Sequence, residues 1–101
     1  MAMVEFSVVP IGTESPSVSK FVAHALKVVK EYENQISYEL TPMGTILEGD
    51  LDLLIGIVMK IHKKLLKDEV KRVVTNIKID DRTDKKLTLE GKRNSVLSKL
   101  S

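Results

Sequence analysis

The sequence contains no cysteine and no tryptophan, and its only aromatic residues are two tyrosines and two phenylalanines. The lack of cysteine excludes disulfides, thiolate metal ligands and a cysteine nucleophile. The longest apolar run, from Leu53 to Met59, is interrupted by Gly56 and is much shorter than the about 20 residues of a membrane-spanning helix. The N-terminus also lacks the pattern of a secretory signal. We therefore expect a cytoplasmic protein that does not associate with membranes.

A strong excess of charge of one sign is also missing. Sixteen Lys and Arg residues face fourteen Asp and Glu residues, so the formal net charge is +2. Cations are concentrated in residues 60–99, but acidic residues such as Asp68, Asp80 and Glu90 interrupt them. This pattern is typical of a solvated surface with both signs of charge, rather than of a continuous basic face for nucleic acid.

What is present is a clear order of strand and helix patterns. Apolar residues alternate with a period of two in four segments, which predicts strands, and recur every three to four residues in three others, which predicts helices. Pro42, Gly44 and Gly49 punctuate the chain, and Asp50 is placed to cap a helix. The predicted strands cover residues 4–11, 36–41, 45–48 and 70–81, and the helices cover residues 18–32, 51–67 and 88–100.

The order βαββαβ followed by a helix has few compact arrangements, because crossovers are right-handed and each helix must cover the sheet. We predict a single α+β domain over residues 1–101. Its expected architecture is a ferredoxin-like sandwich, in which a four-stranded antiparallel sheet carries two helices on one face, plus a C-terminal helix. The second face of the sheet, called the open face below, is then left without a helix layer.

The open face is predicted to mix polar and apolar side chains. Glu48 is predicted to point the other way, toward the helices. Polar residues on such a face usually contact water, but the apolar members suggest that another subunit covers it, and covered polar groups need partners. The residues assigned to this face are Glu5, Ser7, Val9, Ser37, Glu39, Thr41, Val74, Asn76 and Lys78, with Thr45 and Leu47 as further members.

The common catalytic and cofactor constellations are not apparent. His24 and His62 both lie in predicted helices, with no serine and acid at triad spacing. Asp80, Asp81 and Asp84 do not follow the calcium-loop pattern, and no phosphate-binding glycine motif occurs. The central strands lack the aromatic residues on which RNA-binding members of this fold stack bases. We expect no enzymatic activity, metal, cofactor or nucleic-acid partner, with Glu39 as the one candidate acid or base if catalysis occurs.

Four strings in the sequence resemble those of a known family. They are VEFSVVPIG at residues 4–12, SVSKFV at 17–22, MGTILEGDLD at 43–52 and RVVTNIKIDDRTDK at 72–85. Their order and separation resemble the thiamine-binding protein family, the YkoF-like or MTH1187-like proteins, formerly a domain family of unknown function. The resemblance covers nearly the whole chain.

The resemblance implies a cytoplasmic homo-oligomer, a homodimer or a dimer of dimers, that binds thiamine or its hydroxymethylpyrimidine moiety as a carrier or sensor. An aminopyrimidine could pair with a carboxylate and hydroxyls while aliphatic side chains pack on its faces. The alternative is an oligomerising regulatory or structural module without a small ligand. The candidate ligand-binding residues are Ser7, Val9, Glu39, Gly44, Thr45, Leu47 and Asn76.

Overall fold

Strands and helices follow one another in the predicted order. The structure is a computed structural model that describes residues 1–12, 19–68, 70–84 and 89–100. None of the helices in these ranges combines the length and the apolar character needed to cross a membrane. The elements are β1 (Ala2–Ile11), α1 (Ser19–Lys30), β2 (Ser37–Thr41), β3 (Gly44–Gly49), α2 (Leu51–Asp68), β4 (Arg72–Asp81) and α3 (Leu89–Leu100).

The four strands form one antiparallel sheet in the order β2-β3-β1-β4. Val4 of β1 lies opposite Leu47 of β3 and Ile79 of β4, and Leu47 in turn lies opposite Tyr38 of β2. This order is that of the ferredoxin-like sandwich, so the predicted fold class is confirmed.

The core lies between one face of the sheet and the helices α1 and α2. Ala2, Val4 and Phe6 of β1 are buried on the face that packs on the helices, as expected from the alternation of side chains along a strand. The helices contribute apolar residues at intervals of three and four, which place them on one side of each helix. The most deeply buried side chains are Val4, Val28, Val29, Leu47, Leu54, Ile57, Val58 and Ile61.

Asp50 begins α2 as the sequence predicts. Its carboxylate Oδ2 accepts a hydrogen bond from the backbone N–H of Leu53 at 3.3 Å, and its carbonyl accepts one from Leu54 at 2.9 Å. The side-chain contact satisfies the Leu53 N–H, which the first turn would otherwise leave without a partner, and the bond to the Asp50 carbonyl is the first intrahelical one. The preceding Gly49 is buried, and a Cβ there would lie 3.1 Å from Cγ2 of Ile36.

The prediction for the two faces of β3 is wrong. Thr45 and Leu47 point toward the helices, because they lie opposite Phe6 and Val4, and directly opposed residues share a face of a sheet. Thr45 is 6% exposed and Leu47 is completely buried. Glu48, predicted to face the helices, lies on the open face instead. The alternation within β3 was predicted correctly, but its direction was inverted.

Helix α3 lies across part of the open face. Arg93 donates from Nη2 to both carboxylate oxygens of Glu39, at 2.8 and 2.9 Å, and Lys92 pairs with Asp80. Helix α3 therefore covers part of the open face, although no helix was predicted to cover it. The described side chains of α3 are all exposed, and three of them are large apolar ones, namely Val96, Leu97 and Leu100.

Candidate functional site

The sheet has a notch at one end because β1 is longer than β3. Strand β1 pairs with β3 only from Ala2 to Phe6, whereas it pairs with β4 along its whole length. From Ser7 to Ile11, the edge of β1 on the β3 side has no neighbouring strand among the residues that the structure describes. Alternate residues of a strand direct their backbone N–H and C=O groups to opposite sides. Some backbone groups of this segment therefore face the notch and can pair with a ligand.

A cavity of about 190 Å³ lies at this notch and is called the α1 cavity below. One wall is α1, another is the turn between β2 and β3, and the third is the unpaired part of β1. None of the lining residues that the structure describes carries a charge. The lining consists of residues 6–9, residues 40–45, Phe21, Val22 and Ala25.

One free hydroxyl group, that of Thr45, opens into the α1 cavity. Thr45 lines the cavity and makes no side-chain hydrogen bond within the described part of the chain. Within the described part of the chain, every side-chain polar atom that is fully shielded from solvent has a hydrogen-bond partner. Because the Thr45 hydroxyl has no partner, it is not fully shielded and remains accessible from the cavity. Ser7 also lines the cavity, but it lies opposite Asn76 and shares the open face with it, so it contributes backbone groups at the edge of β1 rather than its hydroxyl. The Thr45 hydroxyl can both donate and accept a hydrogen bond.

The turn that forms one wall is held by Thr41. Its Oγ1 donates to the Gly44 carbonyl at 2.7 Å and accepts from the Gly44 N–H at 3.1 Å, which closes the turn around Pro42 and Met43. Gly44 itself has no room for a side chain, because a Cβ would lie 2.9 Å from the carbonyl oxygen of Phe6. The close approach of β3 to β1 at this point thus requires glycine.

Helix α1, the opposite wall, is attached to α2 by an exposed ion pair. Lys60 Nζ lies 2.8 Å from Glu31 Oε2 and 5.4 Å from the centre of the Tyr32 ring. The hydrogen bond between Lys60 and Glu31 lowers the pKa of Glu31 and raises the pKa of Lys60. None of these three residues lines the α1 cavity.

A second, charged cavity of about 290 Å³ lies between α3 and the open face and is called the α3 cavity below. Its floor is formed by Met3, Glu5 and Ile46 of the sheet. Charged residues of β2, β4 and α3 surround this floor, including the pair formed by Glu39 and Arg93. The Glu39 carboxylate is thus already occupied by a guanidinium.

The predicted site residues do not all lie at the same cavity. Leu47 belongs to the core and lines neither cavity. Asn76 is exposed on the open face of β4, where it also lines neither cavity. Glu39 lines the α3 cavity. The α1 cavity brings together the remaining four, Ser7, Val9, Gly44 and Thr45.

Sequence reasoning missed the contribution of α1 and of the turn. Phe21 and Ala25 are four residues apart on the apolar stripe of α1, where Ala25 belongs to the core and Phe21 packs against it. The apolar stripe does not show that the first turns of α1 extend past the end of β3 and line a cavity. The proline and glycine of the turn signalled a tight connection, but its position beside α1 depends on the fold.

Comparison with known proteins identifies the family. Residues 4–97 match the family described as thiamine-binding protein. The chain belongs to this family. The resemblance noted in the four sequence strings is therefore confirmed.

Relatives in several organisms are similar over almost their full length. The UPF0045 protein YqgV of Bacillus subtilis is 48% identical over 98 residues, which is 95% of this chain and 94% of the relative. The UPF0045 protein MJ1052 of Methanocaldococcus jannaschii is 42% identical over 92 residues, 91% of this chain and 88% of that protein.

Solved structures share the fold. The crystal structure of MJ1052 superposes with a TM-score of 0.85 at 41% identity and covers 94% of both chains. A Thermotoga maritima protein, assigned provisionally to thiamine biosynthesis or salvage, superposes with a TM-score of 0.79 and covers 94% of this chain and 97% of its own. At 23% identity, the latter supports the fold alone.

Proposed function

We propose that this protein is a non-catalytic binding protein for thiamine or its hydroxymethylpyrimidine moiety, acting as a carrier or sensor in a homo-oligomer. The observation that carries the proposal is its membership of the thiamine-binding protein family over residues 4–97. The α1 cavity is the proposed site, because it combines the free hydroxyl group of Thr45 with an unpaired strand edge and apolar walls.

The chemistry of an aminopyrimidine fits these groups. Its ring nitrogens accept hydrogen bonds and its exocyclic amine donates them, and the hydroxyl of Thr45 can serve either role. The unpaired edge of β1 adds backbone N–H and C=O groups. Phe21 offers an aromatic surface for the ring, with Val22 and Ala25 beside it. A neutral ring also suits a cavity whose described lining residues carry no charge, where an unpaired ion would be costly.

The size of the cavity favours the pyrimidine as the recognised part. Pockets for drug-sized ligands measure roughly 300–1,000 Å³, and the α1 cavity measures about 190 Å³. One small ring fits this space better than two linked rings. We therefore propose that the pyrimidine enters the cavity while the charged thiazolium of thiamine stays near its mouth. The dissociation constants of thiamine and hydroxymethylpyrimidine should then differ by less than about tenfold, or about 1.4 kcal/mol.

A second candidate function is an oligomerising regulatory or structural module with no small ligand. It is favoured by the amount of exposed apolar surface outside the α1 cavity. Val96, Leu97 and Leu100 of α3 are between 55% and 77% exposed. Large apolar side chains grouped on one element commonly mark an interface. Self-association is part of both candidates, so it does not discriminate between them.

Isothermal titration calorimetry with thiamine and with hydroxymethylpyrimidine tests the proposal. Thr45→Val removes one hydroxyl while preserving shape, and a neutral hydrogen bond contributes about 0.5–1.5 kcal/mol. Binding should therefore weaken by about two- to twelvefold. Ser37→Ala is the matched control, because Ser37 is exposed on the open face and lines neither cavity. No heat with either ligand at millimolar concentration would reject the proposal in favour of the second candidate.

A further inference from the structure

The lining of the α3 cavity is balanced in charge. Among the residues that the structure describes, three acidic and three basic ones line it. Two of the acids already have cationic partners on α3, because Glu39 pairs with Arg93 and Asp80 pairs with Lys92. Glu39 belongs to β2 and Asp80 to β4, so these pairs connect α3 to the two outer strands of the sheet. The floor of the cavity belongs to the two inner strands, β1 and β3.

The remaining acid and the remaining base are neighbours on the sheet. Glu5 of β1 lies directly opposite Lys78 of β4, so both side chains project from the open face. Opposed residues of an antiparallel pair have Cβ atoms about 4.5–5.5 Å apart. Neither charged group forms a hydrogen bond or an ion pair with any residue that the structure describes. The cavity therefore contains a carboxylate and an ammonium group, side by side, that can bind a ligand.

An apolar surface adjoins these two charged groups. Ile46 of β3 lies opposite Glu5 on the side away from β4, and Met3 lies two positions before Glu5 on the same face of β1. Met3 is 8% exposed and Ile46 is half-buried. At about 290 Å³, the cavity lies at the lower end of the roughly 300–1,000 Å³ of pockets for drug-sized ligands. Its size and lining suit a small molecule with both charged and apolar parts.

The balance of charge indicates which small molecule fits. Because the charges of the described lining residues cancel, a ligand with a net charge would leave one sign without a partner, which is costly in a partly buried site. A zwitterion adds no net charge. In an α-amino acid the ammonium and the carboxylate are joined through one carbon atom, so the neighbouring groups of Glu5 and Lys78 can bind both. We propose that the α3 cavity binds an α-amino acid whose apolar side chain packs on Met3 and Ile46.

This site is separate from the α1 cavity and does not rest on the proposed binding of thiamine. The described residues that line one cavity do not line the other. The proposal also changes the role of Glu39, which was predicted to contact a ligand. Its carboxylate is bound by Arg93, so Glu39 holds α3 over the cavity, and Glu5 is the acid that receives the ammonium.

An NMR titration of the full ¹⁵N-labelled chain with L-leucine tests the site and its location. The backbone amides of Glu5, Ile46 and Lys78 should shift saturably at millimolar leucine, with those of Val9 and Val22 at the α1 cavity unchanged. Two analogues test the need for both charges, since L-leucinamide keeps only the ammonium and N-acetyl-L-leucine keeps only the carboxylate. Each analogue should bind at least tenfold more weakly than leucine, because it loses one charged hydrogen-bonded pair.

Two variants assign each charge to its partner. Lys78→Met should bind leucine at least tenfold more weakly and should no longer distinguish leucine from leucinamide. Glu5→Gln should show the same loss and should no longer distinguish leucine from N-acetyl-leucine. Lys63→Met and Asp52→Asn are the matched controls, because both residues are exposed on α2 and line neither cavity. Both controls should bind leucine as the wild type does.

Three results would overturn the inference. The first is the absence of saturable shifts at Glu5 and Lys78 with millimolar leucine. The second is an analogue that binds the wild type as tightly as leucine, since both charges are required. The third is unchanged leucine binding in Lys78→Met or Glu5→Gln. Titration of the same protein with hydroxymethylpyrimidine reports on the α1 cavity, so failure at one cavity is distinguishable from failure at the other.

Discussion

Substitution of two neighbouring residues of β3 tests which face of this strand meets the helices. Leu47 is completely buried against the helices, whereas Ile46 is half-buried on the open face. Leu47→Ala and Ile46→Ala each remove three carbons at about 0.8 kcal/mol per fully buried carbon. For Leu47 this transfer amounts to about 2.4 kcal/mol, and the cavity left behind raises the loss to about 3–4 kcal/mol. For Ile46, half the burial and no enclosed cavity give about 1 kcal/mol.

Urea denaturation followed by circular dichroism measures both losses. It should be repeated at several protein concentrations, because association adds to apparent stability. Leu47→Ala should lower the melting temperature by well over 10 °C, given about 4–8 °C per kcal/mol for a domain of this size. If Leu47→Ala does not fold, Leu47→Val and Ile46→Val give the same comparison with one carbon removed. An equal or larger loss at Ile46 would refute the register that places Leu47 in the core.

Two further predictions concern a glycine and an ion pair. Gly44→Ala should destabilise the protein by about 1–3 kcal/mol, because the new Cβ would lie 2.9 Å from the carbonyl oxygen of Phe6. The control is Gly56→Ala in α2, where the new Cβ would meet nothing within 4 Å. This control should be neutral or stabilising in the same urea assay. The pKa of Glu31 is lowered by its hydrogen bond to Lys60. The pair therefore stabilises the fold above the ordinary pKa of Glu31 and loses this effect as the pH falls through the lowered value. Carboxyl NMR titration should show the lowered pKa in the wild type and an ordinary one in Lys60→Met, and identical titrations would contradict the contact.

The order and class of the elements follow from local patterns, which is why the fold could be predicted. The period-two segments and the apolar helical stripes each depend on residues close in sequence. Asp50 at the start of α2 is an example in which one capping residue determines where a helix begins. Local patterns could not predict which face of β3 packs on the helices, because each of its faces carries one polar and one apolar residue. Pairing with β1 decides between them, and this information is absent from β3 itself.

The candidate site was only partly predictable for the same reason. Ser7, Gly44 and Thr45 were identified from strings in the sequence, and the structure brings them together at the α1 cavity. The cavity exists because β1 extends beyond β3, which depends on two strand lengths and their register. Glu39 was assigned to the same site, but its contact with Arg93 joins residues 54 positions apart. No local pattern predicts such a contact.

The central claim is that the α1 cavity binds the pyrimidine of thiamine. An NMR titration of ¹⁵N-labelled protein with hydroxymethylpyrimidine tests binding and location together. The account predicts saturable shifts of the backbone amides of Ser7, Val9, Gly44 and Thr45, with those of Glu39 and Arg93 at the α3 cavity unchanged. Shifts confined to the α3 cavity, or no shifts at millimolar ligand, would contradict it.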